Sequence, residues 1–234
     1  MKFSIIIPTF NEKNNISLLV FKIKSSLKKY KYEIIIVDDS STDGSKNILL
    51  NLNKKNKNVK IIFRKNKIRD LAKSCRDGFE ISRFVNLIVM DGDLQHNPKY
   101  IPKMIKVYEN YNCDFVVGAR DLVENRVKSL SIFRQSASFI IIKFFEFFFG
   151  KKTIDPMSGF FLFKKKIYKK NKKKLFLKGF KILADLIYSE KNLIIKDVII
   201  KFDYRKKGKS KLNFNILFIL FQFFLFKIIK KYNL

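Results

Sequence analysis

Apolar residues along this chain gather in short runs, and most runs end abruptly in polar sequence rich in Asp, Asn or Gly. Phe3–Ile7, Glu33–Val37, Val59–Phe63, Leu87–Met90 and Asp114–Val117 are such runs. They read as strands, and the apolar run Asn86–Met90 as a buried one. Between the first four lie helix-length stretches, Asn15–Lys29, Gly44–Leu52 and Asp70–Arg83. Strand and helix alternating at this spacing predict an α/β domain with a mostly parallel sheet and helices on both faces. No internal repeat and no linker rich in Pro, Gly or Ser interrupts the pattern.

After Arg120 the texture changes. Ser129–Phe149 reads as a long helix whose end, Phe139–Phe149, is nearly all aromatic or aliphatic. Gly159–Phe163 and Leu193–Phe202 are strand-like, Lys164–Lys174 is a lysine run, and Lys181–Glu190 looks helical. The tail, Leu212–Lys231, is again very apolar. A membrane-spanning helix needs about 20 predominantly apolar residues. Ile132–Phe149 is broken by Arg134, Gln135, Lys143 and Glu146, and Phe214–Ile229 by Asn215, Gln222 and Lys227. A helix lying in the membrane interface fits both, with lysines toward headgroups and Phe and Leu toward acyl chains. Packing on the sheet is the alternative. For the tail, the closing Lys230-Lys231 favours the membrane. The expected division is therefore an α/β domain over residues 1–211 and a membrane-associating helix over 212–234.

Composition sharpens this picture in three ways. A chain of 234 residues holds one sizeable α/β domain. The net charge is +30, and of the 50 basic residues only eight are arginine. Lys, Asn, Ile and Phe abound together, as in AT-rich coding sequences, so much of the lysine reads as drift on solvated faces. A basic surface still attracts nucleic acid or an anionic membrane, and near such a membrane each Lys or Arg is worth about 1 kcal/mol. Against that background the few arginines, the 8 glycines and the 4 prolines carry more information. Cys75 and Cys113 show neither a pairing pattern nor metal-ligand spacing, which fits a reducing compartment. The N-terminus opens directly into a strand without the pattern of a secretory leader.

Chemistry concentrates at strand ends. Pro8-Thr9-Phe10-Asn11-Glu12 follows the first strand, Asp38-Asp39-Ser40-Ser41-Thr42-Asp43-Gly44-Ser45 the second, and Asp91-Gly92-Asp93-Leu94-Gln95 the fourth. In open α/β sheets ligands bind at that edge. Carboxylates flanking a Gly, with an amide oxygen nearby, suit a hard divalent cation such as Mg²⁺. Asp-Gly-Asp is also a common turn, and Thr42 or Asp43 could simply cap the following helix. Neither alternative explains Asp38 and Asp39. Crowded carboxylates repel, and a cation or polar ligand would relieve the repulsion.

These blocks resemble the inverting family-two glycosyltransferases, which use nucleotide-sugar donors and have the fold called GT-A. Ile6–Glu12, Val37–Ser45 and Met90–His96 carry the resemblance, in order. Asp155-Pro156-Met157-Ser158-Gly159-Phe160-Phe161 resembles the polyprenyl-phosphate branch, as do Lys178–Leu183 and Arg205–Leu212. The resemblance implies transfer of a sugar to dolichyl or undecaprenyl phosphate. GDP-mannose leads as donor, followed by UDP-glucose and UDP-N-acetylglucosamine. It implies Mg²⁺ or Mn²⁺ held by Asp91, Asp93 and Gln95, and a nucleoside pocket lined by Pro8, Phe10, Glu12, Asp38 and Asp39, with Asp91 reaching the ribose or binding through water. Arg205 would close over the diphosphate with Lys211 nearby. Arg120, Arg134 and Ser138 are assigned to the acceptor phosphate, Arg134 and Ser138 sharing one helical face. Asp91, Asp93, Arg205 and Arg134 then form the catalytic set. The expected place is the cytoplasmic face of a membrane, peripheral or held by one helix. A membrane-anchoring partner stays open, and no nucleic acid is expected.

Some features depart from the family pattern. Gly92 replaces the usual Ala and is expected to loosen its loop. Lys67–Lys73 lacks the glycines many members carry, which leaves its contact with the donor undecided. Asp155 either caps a turn before Pro156 or touches sugar. His96 and the two thiols read as structural. Two rivals remain at this point: a same-fold transferase acting on a saccharide or other soluble acceptor, and a non-catalytic basic protein binding membrane or nucleic acid. The second leaves the acidic sheet edge without a reason.

Overall fold

The structure is a computed structural model and describes residues 1–65, 69–120, 143, 146–179, 182–201 and 222–229. Seven strands form one sheet: β1 (Lys2–Thr9), β2 (Lys31–Asp38), β3 (Val59–Phe63), β4 (Asn86–Val89), β5 (Phe115–Arg120), β6 (Phe161–Lys164) and β7 (Ile195–Ile200). Their order is β3-β2-β1-β4-β6-β5-β7. All neighbours run parallel except β6, which is antiparallel to both β4 and β5. The sequence-predicted strands all exist, with ends shifted by a few residues.

Two apolar layers fill the space on either side of the sheet. On one face α1 (Ile16–Ser26), α2 (Ser45–Lys55) and α4 (Ile101–Asn110) pack over Ile5, Ile7, Ile34 and Ile36. On the other, α3 (Leu71–Ile81), α5 (Lys165–Asn171) and α6 (Ile182–Ile187) pack over Ile6, Leu87, Val89 and Phe115. Successive residues of a strand point to opposite faces, so Ile5-Ile6-Ile7 serves both layers and must be apolar throughout. The expected helices omit α4. Its buried residues Ile101, Met104, Ile105 and Tyr108 nonetheless have helical spacing. The lysine run proves partly ordered as α5, where Ile167 and Tyr168 are buried among the exposed lysines.

The long aromatic helix expected after Arg120 lies largely outside the described residues, as does most of the tail. Residues 146–149 and 222–229 are helical. These two pieces meet: Phe149 stacks on Phe224, and Phe223 and Phe224 pack with Ala184 against the body. Lys227, expected to face headgroups, is buried and paired with Asp185 at 2.6 Å. It also donates to the Asp185 carbonyl and the Ser189 hydroxyl. Among the described residues no helix is long and apolar enough to cross a membrane.

At the edge of the sheet opposite the strand C-termini, Glu33 ties several elements together. Its fully buried carboxylate accepts from Ser4 Oγ at 2.7 Å, the Arg83 backbone N–H at 2.6 Å and Arg83 Nε at 2.9 Å, and pairs with Lys60 at 3.1 Å. Burial alone would raise its pKa. The hydrogen bonds from Ser4 and the Arg83 backbone, with Lys60, outweigh that and hold it below 4.5. A depressed carboxyl pKa stabilises the fold above the unfolded value and loses that contribution as pH falls through the folded one. Glu33→Gln should therefore cost about 1–3 kcal/mol at neutral pH. At roughly 2–4 °C per kcal/mol for a chain this size, thermal melting will show the loss. The gap between the proteins should close as the pH falls below 4.5; a gap independent of pH would rule out the charged network as its cause.

Candidate active site at the carboxyl edge of the sheet

β1, β2 and β4 are adjacent and parallel, so the three polar blocks that follow them emerge side by side. The first two are laced together. The Asp39 N–H donates to the Thr9 carbonyl, and the Asn11 N–H to Ser41 Oγ at 2.8 Å. The Thr42 N–H returns a bond to Asn11 Oδ1 at 2.8 Å. Asn11 and Ser40 sit at positive φ, 54° and 62°, a conformation Asn tolerates better than most residues. Asp43 does act at the start of α2: it accepts the Ser45 backbone N–H at 3.0 Å and the Lys13 N–H at 2.9 Å.

Asp38 and Asp39 serve different local structures. Asp38 is buried and accepts both the N–H and the hydroxyl of Ser41, at 3.0 and 2.5 Å. Asp39 is buried against Arg64, with Nη1 to Oδ1 at 2.6 Å, while its other oxygen accepts the Asp70 N–H at 2.6 Å. Arg64 stands just past β3. It also donates to Asp77 at 3.0 Å and to Ser74 at 3.1 Å, and its Nη2 is buried without a hydrogen-bond partner among the described residues. Sequence reasoning missed Arg64. The available signal was an arginine in a lysine-rich chain, directly after a strand. Asp70 caps α3 by accepting from the Lys73 N–H, and it holds the Gly179 N–H as well, at 3.2 Å each. Burial raises its pKa against those two bonds. The Lys178-Gly179 motif is thereby seated on the start of α3.

The Asp91-Gly92-Asp93 turn is tightly packed rather than loose. Gly92 is buried, and a Cβ there would come within 2.9 Å of Thr9 Cγ2. The expectation that Gly92 loosens its loop is therefore corrected: its missing methyl lets the β4 loop close on Thr9 and Glu12. Asp93 is buried and accepts the Gln95 N–H at 3.1 Å. Asp91 is 32% exposed, with His96 Nδ1 at 3.5 Å. Burial pushes the His96 imidazole down to about 4, although Asp93 opposes the shift. This agrees with a structural histidine.

The Asp155–Phe161 loop reaches the same place. A Cβ on Gly159 would lie 2.3 Å from Asp91 Oδ2, so any larger residue here would have to push the Asp91 carboxylate aside. Ser158 Oγ donates to the Gly118 carbonyl at 2.7 Å, tying the loop to β5. Asp155 is fully buried and grips Arg120, with Nε to Oδ2 at 2.6 Å and Nη2 to Oδ1 at 2.9 Å. Burial alone would lower the Arg120 pKa and raise that of Asp155. Their mutual attraction prevails, moving Arg120 up and Asp155 down. Asp155 thus also accepts the Met157 N–H as a turn would require, at 3.2 Å, but its main partner is an arginine the sequence did not connect to it.

The structure thus brings Pro8, Phe10, Glu12, Asp38, Asp39, Asp91, Asp93, Gln95 and Arg120 to one edge or its flank. Arg134, Ser138, Arg205 and Lys211 lie outside the described residues. Among the described residues no cluster of three His, Cys, Asp or Glu side chains is arranged to hold a metal. The donor set still fits one kind of ion: Mg²⁺ is commonly held by one or two carboxylates together with substrate phosphates rather than by a protein cage. Asp91 and Asp93 supply two.

Comparisons with known proteins agree with this architecture. The family described as "Glycosyl transferase family 2" matches residues 4–171. Dolichol-phosphate mannosyltransferase of Pyrococcus furiosus is 33% identical over 220 residues, covering 93% of this chain and 61% of that protein. The chain thus spans under two thirds of that relative. Dolichol-phosphate mannosyltransferase of Saccharomyces cerevisiae is 31% identical over 225 residues, 91% of this chain and 82% of that protein. Glucosyl-3-phosphoglycerate synthase of Mycobacterium tuberculosis, solved with Mn²⁺, UDP and glucosyl-3-phosphoglycerate, shares the fold. Its TM-score is 0.66 at 14% identity, over 98% of this chain and 79% of that one. The sheet is that of the GT-A fold, and the chain belongs to glycosyl transferase family 2.

Proposed function

We propose that this protein transfers a sugar, mannose from GDP-mannose, to a polyprenyl phosphate at a membrane surface, with inversion at the anomeric carbon. The observation that carries the reading is the packing of Gly159 against Asp91, which joins the polyprenyl-branch motif to the acidic strand-end motif in one site. The identity to dolichol-phosphate mannosyltransferases over more than nine tenths of the chain supports it.

The nucleophile is the acceptor phosphate, already anionic at neutral pH, so no strong general base is required. One of its oxygens forms the new bond to the anomeric carbon as the bond to the donor diphosphate breaks. The obstacle is repulsion between two polyanions. Mg²⁺ or Mn²⁺, when bound, would supply positive charge to the departing diphosphate. Asp91, Asp93 and Gln95 are the residues proposed to hold it. Pro8, Phe10, Glu12, Asp38 and Asp39 receive the nucleoside, and Arg205 and Lys211 the diphosphate. Arg120, Arg134 and Ser138 grip the acceptor phosphate, the arginines through planar contacts. Asp155 orients Arg120 for this. The buried Ser158 bond and the close fit at Gly159 keep the acceptor loop in register with Asp91.

Transfer of radiolabelled sugar from GDP-mannose into organic-extractable lipid, with polyprenyl phosphate and Mg²⁺ or Mn²⁺, tests the reading. Asp93→Ala should lower the rate by at least about a hundredfold. Label entering only water-soluble products would move the acceptor to a saccharide. Gly159→Ala should also lose most activity while melting near the wild-type temperature, because the added methyl displaces Asp91 at an exposed edge. Full activity in that variant would contradict the role given to the loop. Membrane contact has its own test. Phe147 is 82% exposed beside the aromatic piece that packs on the body. Phe147→Ser should weaken flotation with anionic liposomes, and undiminished flotation would place the contact elsewhere.

A further inference from the structure

The guanidinium of Arg69 lies over the ring of Phe10, 4.1 Å from its centroid. Among the described residues no hydrogen bond or ion pair engages that guanidinium. Arg69 is exposed, and its root is fixed. The next residue, Asp70, has its N–H held by Asp39 and its side chain capping α3 and holding Gly179. This places Arg69 beside the loops that follow β1 and β2.

We propose that Arg69 reads the base of the donor nucleotide and favours guanine. The inference rests on the reading of Phe10 as part of the nucleoside pocket. An exposed cation–π contact is weak, so a base can take the face of Phe10 that the guanidinium covers. The displaced arginine, rooted at Asp70, then meets the edge of that base. Arginine carries five donors and no acceptor in a planar fork. Guanine offers two adjacent acceptors, O6 and N7, that match the fork. Adenine pairs N7 with an N6 donor, which opposes it. Uracil presents O4 beside a C–H and offers only one contact on that edge. Lys67–Lys73, which lacks the glycines of other members, would thus meet the donor through a side chain.

Titration calorimetry with GDP, ADP and UDP, in the presence of Mg²⁺, tests this on the full chain and on Arg69→Ala and Arg69→Lys. The wild type should prefer GDP. Arg69→Ala should lose on the order of ten- to a hundredfold in GDP affinity, with little change for UDP and ADP. Arg69→Lys should resemble the alanine variant for GDP, because an ammonium keeps the charge but not the fork. Equal losses for all three nucleotides, or full restoration by lysine, would overturn the proposal and leave a general charge effect. A wild type that prefers UDP and transfers from a UDP-sugar would overturn it while leaving glycosyl transfer intact. A wild type that binds none of the three would overturn both this and the proposed function.

Discussion

The buried ion pair between Asp39 and Arg64 is the interaction that this edge of the site is built around. Three neighbouring parallel strands end at one edge, and their blocks bring Asp38, Asp39, Asp91 and Asp93 there together. They are compensated in three ways. Asp39 is neutralised by the buried Arg64, which also reaches Asp77 on α3. Asp38 and Asp93 are met by hydrogen bonds from their own loops. Asp91 keeps part of its surface toward solvent. On the β2 side of the edge the balance comes from an ion pair with a buried arginine; on the β4 side Asp91 stays partly exposed beside His96.

The antiparallel β6 makes the second half of the site possible. A purely parallel sheet would deliver every loop by a helical crossover. Because β6 runs the other way between β4 and β5, the segment before it arrives at the same edge where β4 and β5 finish. Asp155, Ser158 and Gly159 come from that segment, and each makes its contact with a neighbour on the edge: Arg120, the Gly118 carbonyl and Asp91.

Much of this was legible in the sequence. Runs such as Ile5-Ile6-Ile7 are continuous because both faces are buried, and that showed the strands and the α/β class. The acidic blocks marked the edge because stability alone does not gather carboxylates. What stayed hidden depended on partners far apart in the chain. Nothing local to Asp155 announces Arg120, 35 residues away. Gly92 looked like added freedom, yet it answers the bulk of Thr9 on another strand. Lys227 looked like a headgroup-facing lysine, since a polar residue in an apolar stretch gives no hint of a carboxylate waiting 42 residues earlier.

That last separation bears on how the chain is made. Asp185 holds the N–H groups of Phe176 and Leu177, and its own helix sits in the core of one face. During synthesis this carboxylate leaves the ribosome long before Lys227 does, at roughly 5–20 residues per second. For that interval α6 must either wait with its acid toward water or dock with a charge that lacks its counter-ion. A segment that emerges later thus completes the electrostatics of an earlier one, and a nascent chain stalled short of Lys227 would keep a polar seam open beside Phe149 and Phe176.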